Sequence, residues 1–91
     1  MSRYEKFEDD FGYSWGYDRP LQEYFYQKFV EKADDGIEFV FSIGTGIVEV
    51  PHPDYPKKKR FNRGELLTIM ENEGIVPEEH LKLIALDLQI E

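Results

Sequence analysis

Aromatic residues are crowded into the first third of this chain. Ten of its fourteen aromatic residues fall within the first 29 of 91 positions. A chain of this length forms one domain that buries roughly 60–65% of its unfolded surface, so one small core does not readily hide so many rings. Because Tyr and Trp join an apolar body to a polar tip, such a cluster indicates either a core or a contact surface.

The aromatic residues at positions 13–17 follow a simple spacing. Aromatic residues alternate with small ones, Tyr13, Trp15 and Tyr17 with Gly12, Ser14 and Gly16. This period of two predicts a strand with one bulky face and one face bare enough for another backbone to approach. The residues before it, 1–10, are polar and charged, and they are predicted to be a loose lead-in to a single domain that spans residues 1–91.

The middle of the chain carries the hairpin signal. Residues 21–32 fit both the apolar stripe of a helix and the alternation of a strand. The Asp-Gly pair at residues 35–36, followed by a β-branched and aromatic segment, favours strands. We therefore expect Tyr24–Lys32 and Ile37–Ile43 to pair as an antiparallel hairpin.

The last third of the chain changes to a helical period. Asn62 and Glu65 form a capping box, and a glycine follows the apolar stripe, so a helix is predicted from Arg63 to Glu73. A second helix is predicted to begin at Pro77. Residues 84–90 fit its continuation and also alternate as in a strand; the helix is favoured.

Together these segments predict an α+β fold, with a small antiparallel sheet of about three strands from residues 11–50, covered on one face by two C-terminal helices. The expected core consists of Phe25, Phe29, Phe39, Phe41, Leu66, Leu67, Ile69, Met70, Leu81, Ile84 and Leu88. Such a core has no room for all the Tyr and Trp rings, so some are expected to face solvent. Whether Trp15 is core or surface stays open.

Charge narrows the choice of partners. The net charge of -8 repels nucleic-acid phosphate and anionic membrane surfaces at long range. The N-terminus lacks the apolar region of a secretion signal, and no stretch approaches the roughly 18 apolar residues of a membrane span. The chain contains no cysteine, which fits a reducing cytosol, and we expect a cytoplasmic protein of prokaryotic or viral origin. From the charge we expect it to bind a protein or a second copy of itself, and no membrane.

One basic segment interrupts the acidic sequence. Its five cations are Lys57, Lys58, Lys59, Arg60 and Arg63. Cations beside a helix N-terminus oppose the helix dipole by about a few tenths of a kcal/mol each. Ion pairing or solvation is the ordinary compensation. The alternative is that these residues bind an anion, such as RNA phosphate or an acidic segment of a partner.

No catalytic or cofactor signature rises above background. Gly44-Thr45-Gly46 lacks the third glycine and the helix of a nucleotide-binding loop, and it is expected to be a bulge or bend before the strand resumes at residues 47–50. His52, near Asp54, is expected to be an ordinary loop residue, and His80 a partly exposed helix residue. The helical pair carries acids where a DNA-reading helix needs cations. We expect no enzymatic activity, cofactor or metal.

The leading functional interpretation is a small, non-enzymatic protein-interaction module. Its expected contact residues form an aromatic-rich face of the sheet: Tyr13, Trp15, Tyr17, Tyr24 and Tyr26. The alternative is the binding of single-stranded RNA or DNA, in which exposed Tyr rings stack on bases and the Lys57–Arg63 segment binds the backbone. The net charge disfavours this alternative.

Overall fold

The computed structural model describes residues 2–34, 36–46, 48–55, 57, 60–88 and 90. The elements in chain order are β1 (Ser2–Glu8), β2 (Phe11–Asp18), β3 (Glu23–Glu31), β4 (Ile37–Gly44), β5 (Val48–Val50), α1 (Arg63–Glu73) and α2 (Glu78–Ala85). The five strands form one antiparallel sheet in which each strand pairs with its neighbour in sequence. The fold is therefore α+β, with two strands more than the three expected.

One of the additional strands is the N-terminal segment. β1 pairs with β2 over its whole length, from Ser2 opposite Tyr17 to Glu8 opposite Phe11. The prediction of a loose lead-in is therefore wrong for residues 2–8. β1 lies at the edge of the sheet, where charged side chains discourage pairing with other chains. That charge is what made the segment look unstructured in the sequence.

The predicted central hairpin is present. β3 pairs with β4 from Phe25 opposite Gly44 to Glu31 opposite Ile37, with a register shift after Lys28. The Asp-Gly turn is only partly visible, because residue 35 lies outside the described residues.

The second additional strand is β5. Residues 48–50 do not resume the direction of β4, as the sequence suggested, but fold back and pair with it antiparallel at Ser42 and Ile43. Residue 47, also expected in this strand, lies outside the described residues. Thr45 stabilises the chain reversal between β4 and β5. Its N–H donates to the Tyr24 carbonyl at 3.1 Å, and its Oγ1 accepts from the Tyr24 N–H at 3.0 Å.

The helices match their local signals. In the capping box of α1, Asn62 Oδ1 accepts from the Glu65 N–H at 2.8 Å, and Glu65 Oε1 accepts from the Asn62 N–H at 3.1 Å. Gly74 ends this helix in the left-handed conformation, with φ of 69°. α2 ends at Ala85 and a turn follows, so the helical continuation favoured for residues 84–90 is wrong for residues 86–88. Leu88 therefore lies outside the helix and is exposed rather than in the core.

The core lies between the sheet and the two helices. Its buried members are Trp15, Tyr24, Tyr26, Phe41, Ile43, Phe61, Leu66, Ile69, Met70, Ile75, Val76, Ile84 and Ile90. The strand members share one face, since Trp15 lies opposite Tyr26 and Tyr26 opposite Ile43. We call this the covered face, and the opposite side of the sheet the open face.

The alternating rings of β2 point to the covered face. Trp15 is 3% exposed, Tyr24 and Tyr26 are also buried, and Tyr13 and Tyr17 are half-buried against the same cluster. The expectation of an exposed Tyr and Trp surface is therefore wrong for the three buried rings.

These rings can be buried because each polar tip finds a partner. The Trp15 indole N–H donates to His80 Nδ1 at 2.9 Å. The hydroxyl of Tyr24 donates to the Leu88 carbonyl at 2.7 Å, and that of Tyr26 donates to Glu73 Oε1 at 2.9 Å. A buried Tyr or Trp with a satisfied tip adds apolar area without leaving a desolvated donor.

Candidate functional site: the open face of the sheet

A row of aromatic rings crosses the open face. Phe7 of β1 lies opposite Gly12, Gly12 lies opposite Phe29, and Phe29 lies opposite Phe39 of β4. The Phe29 ring meets Phe7 at 5.9 Å and Phe39 at 6.2 Å between centroids, both edge to face. We call these three rings the aromatic row. Its centre is buried, while Phe7 is 61% and Phe39 36% exposed.

Gly12 allows this row to close. A Cβ atom added at Gly12 would overlap the Phe29 ring and touch the Phe7 ring. The bare face that the sequence predicted for β2 is therefore where side chains of neighbouring strands meet. Phe29 and Phe39, both expected in the core between sheet and helices, lie instead on the open face, and Phe39 is exposed.

We expect Gly12→Ala to lower the free energy of unfolding by about 1–3 kcal/mol, since the new methyl group forces Phe29 out of its position. Gly64→Ala is the matched control: an alanine at this exposed helical position meets only Asn62 Oδ1 at 3.4 Å. Alanine there is expected to be neutral or to stabilise by up to about 1 kcal/mol. Denaturant unfolding measures both, and an equally stable Gly12→Ala variant would contradict the packing of the row.

A polar row lies beside the aromatic row. It contains Ser14, Gln27 and Ser42 in register. Gln27 Nε2 donates to Ser42 Oγ at 3.0 Å. Ser14 is buried, and its Oγ has no hydrogen-bond partner among the described residues. Glu5, opposite Ser14 on β1, is exposed.

Arg3 is a cation on the open face. It lies opposite Gly16, which lies opposite Phe25. Because Gly16 has no side chain, the Arg3 guanidinium reaches across β2 to 5.8 Å from the Phe25 ring centroid, and it donates to Gln27 Oε1 at 3.4 Å. Phe25, predicted in the core, is therefore a half-buried ring on the open face that already contacts a cation.

A small cavity opens beyond Phe25, near the turn between β2 and β3. Its volume is about 70 Å³, and its apolar surface includes Leu21 and Phe25. Asp18, Glu23 and Glu49 contribute carboxylates, and no Lys or Arg occurs among the described residues that line it. We call it the acidic cavity. Nowhere in the described part of the chain are three His, Asp or Glu side chains placed to hold a metal ion.

The predicted anion-binding segment is only partly visible. Lys58 and Lys59 lie outside the described residues, while Lys57, Arg60 and Arg63 are exposed. Arg63 Nη1 lies 3.3 Å from Asp87 Oδ2, which is the internal ion pairing considered for this segment.

The start of α1 also carries its own acid. The cleft that Arg60 and Arg63 line contains Glu65 and Asp87 as well. Glu65 in the first turn offsets the cations at the helix N-terminus, and the Asn62 side chain occupies one of the free amide donors. This part of the surface is therefore of mixed charge.

His52 is buried, although it was expected to be an ordinary loop residue. It is 4% exposed and lies between the rings of Phe41 and Tyr55, at centroid distances of 4.3 and 4.7 Å. Its Nδ1 accepts from the Asp54 N–H at 3.0 Å, and its Nε2 lies 3.6 Å from Glu73 Oε2. His52 therefore packs between two aromatic rings, and its imidazole is shielded from solvent.

Comparisons of the chain with protein-family models, with curated proteins and with solved structures found no match. Neither helix in the described part of the chain has the length and apolar character needed to span a bilayer.

Proposed function

We propose that this protein is a non-enzymatic protein-interaction module that binds its partner on the open face of the sheet. The aromatic row carries the proposal. An antiparallel sheet with one solvated face normally places polar residues there. Here the alternation places Phe7 and Phe39 on that face, and both remain exposed.

The geometry of the row supports binding in two ways. The Phe29 ring lies between Phe7 and Phe39 and meets both edge to face, so it orients the exposed rings before a partner binds. Aromatic side chains, Phe included, are enriched in the cores of protein interfaces, and side chains that are already ordered lose little conformational entropy on binding. Ile37 extends the apolar surface beside Phe39, since it lies two residues away on β4 and is exposed.

A nucleic-acid partner is the competing possibility for exposed rings. Stacking on bases suits Phe as well as Tyr, but such surfaces also need cations along the phosphate backbone. The open face instead carries Glu5, Glu23 and Glu31, and its Arg3 guanidinium lies over the Phe25 ring. Its charge favours a protein partner.

A peptide-display experiment tests this function. Peptides that bind the wild-type protein are selected from a random library, and their affinities for variants of the open face are then measured. We expect selected peptides to bind Phe7→Ser at least ten-fold more weakly, because the variant removes the more exposed of the two rings. Leu86→Ser is the matched control: Leu86 is 69% exposed, follows α2 and lies off the open face. It should bind the peptides as the wild type does.

Circular dichroism shows whether each variant is folded, and Phe39→Ser serves as a second variant if Phe7→Ser is not. Selected peptides that bind both Phe variants with unchanged affinity would place the binding surface elsewhere and refute the proposal. A labelled oligouridylate that binds the wild type and loses affinity in Phe7→Ser would support the nucleic-acid alternative instead.

A further inference from the structure

We infer that the partner on the open face is an extended, cationic protein segment with an apolar anchor and, about four residues away, a Lys or Arg. The inference rests on the proposed function and specifies its partner. Two features of the open face carry it: the aromatic row and the acidic cavity.

The spacing follows from β3, which contributes to both features. Phe29 is the centre of the aromatic row, and Phe25 borders the acidic cavity. Four residues along a strand span about 13 Å. An extended segment lying along β3 rises by the same amount per residue, so an apolar side chain on the row brings a side chain about four residues away to the cavity.

The charge of that second side chain follows from the lining of the cavity. Asp18, Glu23 and Glu49 attract a cation, while Leu21 and Phe25 accommodate the apolar stem of Lys or Arg. Arg3 already shows the contact within the chain, since its guanidinium lies 5.8 Å from the Phe25 ring centroid.

The same charges argue against a second copy of the chain as the partner. If the open faces of two copies met, Glu5, Glu23 and Glu31 of one copy would face the glutamates of the other. Their negative charges would repel each other, in a protein whose net charge is already -8. The chain's own basic segment does not supply the occupant either, because its apolar residue, Phe61, is buried in the core.

Two short synthetic peptides in a Ser and Thr background test the inference by heteronuclear NMR titration of the full chain. One carries a Phe and a Lys four positions apart, and the other has Glu in place of the Lys. We expect the Lys peptide to shift amide signals of Gly12, Phe25 and Gln27, and to bind at least five-fold more tightly than the Glu peptide. Its affinity should fall several-fold between 50 and 300 mM salt.

The double variant Glu23→Gln, Glu49→Gln should reduce binding of the Lys peptide to that of the Glu peptide, without affecting the response at Gly12. The matched control is Glu78→Gln, Glu79→Gln, which removes the same charge from exposed positions on α2 and should leave affinity unchanged. An equal loss in both double variants would show a general charge effect and refute the cavity as the cation site.

The outcomes separate the two proposals. If both peptides bind the open face equally, the cationic inference is wrong and the interaction function stands. If neither peptide shifts open-face signals and the library peptides ignore Phe7→Ser, both are wrong. Open-face signals that shift with protein concentration in the absence of peptide identify a second copy as the partner and overturn the inference.

Discussion

Replacing Trp15 with Ala is expected to lower the free energy of unfolding by about 3–5 kcal/mol. Trp15 is buried within the core cluster, and its indole N–H donates to His80 Nδ1 at 2.9 Å. The substitution leaves a cavity and an unpaired imidazole nitrogen in the same place. For a domain of this size the melting temperature should fall by well over about 10 °C, as measured by circular dichroism.

Two other substitutions calibrate this result. Trp15→Phe keeps an aromatic ring but removes the N–H, so its cost should be smaller, about 1–3 kcal/mol. Leu86→Ala, at an exposed position, should change the free energy of unfolding by less than about 0.5 kcal/mol. A Trp15→Ala protein that melts with the wild type would mean that the ring is on the surface.

Raising the pH above 10 is expected to destabilise the fold steeply. Burial, with the nearby Asp87 carboxylate, raises the pKa of Tyr24 from 10.0 to about 12. Burial, with the Glu73 carboxylate that accepts its hydrogen bond, raises the pKa of Tyr26 further still. Because ionised Tyr26 would face Glu73 with no proton between them, the fold strongly prefers the neutral phenol.

The direction of the pH effect follows from these pKa values. Above pH 10 the unfolded chain loses phenolic protons that the fold retains, so stability is complete below pH 10 and decreases as pH rises toward 12 and beyond. For Tyr24 the upper limit is about 2–3 kcal/mol, which solvent screening at the exposed Asp87 reduces. Tyrosinate absorbance and circular dichroism, followed together, should show these tyrosines ionising as the fold is lost.

Tyr26→Phe separates the phenol from general alkaline damage. The variant should lose about 1–3 kcal/mol at neutral pH, since the Glu73 carboxylate loses a donor. Its free energy of unfolding should then fall less steeply above pH 10 than that of the wild type. Equal slopes in the two proteins would show that Tyr26 does not couple ionisation to unfolding.

The sequence was enough to predict those helices and strands whose signals come from residues close together in the chain. The capping box of Asn62 and Glu65 joins residues three positions apart, so its helix could be predicted from Arg63 to Glu73. The β3–β4 hairpin likewise depends on a short turn and on two neighbouring segments of strand-forming residues. β1 lacks such a signal and was missed, because it is an edge strand rich in charge. Strand structure was predicted for residues 47–50, but the chain reversal that makes β5 a separate strand was not.

The candidate site could not be predicted from the sequence for a different reason. Period-two alternation in β2 determines that Trp15 and Gly12 lie on opposite faces, but it does not determine which face is covered. Only the docking of the helices decides this. Leu66, Ile69 and Met70 of α1 pack on the face that carries Trp15 and Tyr26, and the polar tips of those rings find His80 and Glu73 there.

The sequence by itself therefore determined the α+β class, the central hairpin, the first helix and the division of β2 into a bulky and a bare face. The tertiary structure decided that Trp15, Tyr24 and Tyr26 belong to the core and that Phe7 and Phe39 remain exposed on the other side. The physical reason is the distance in sequence between the interacting residues. Caps and turns join residues a few positions apart, whereas the burial of one face of β2 depends on helices more than forty positions away in the chain.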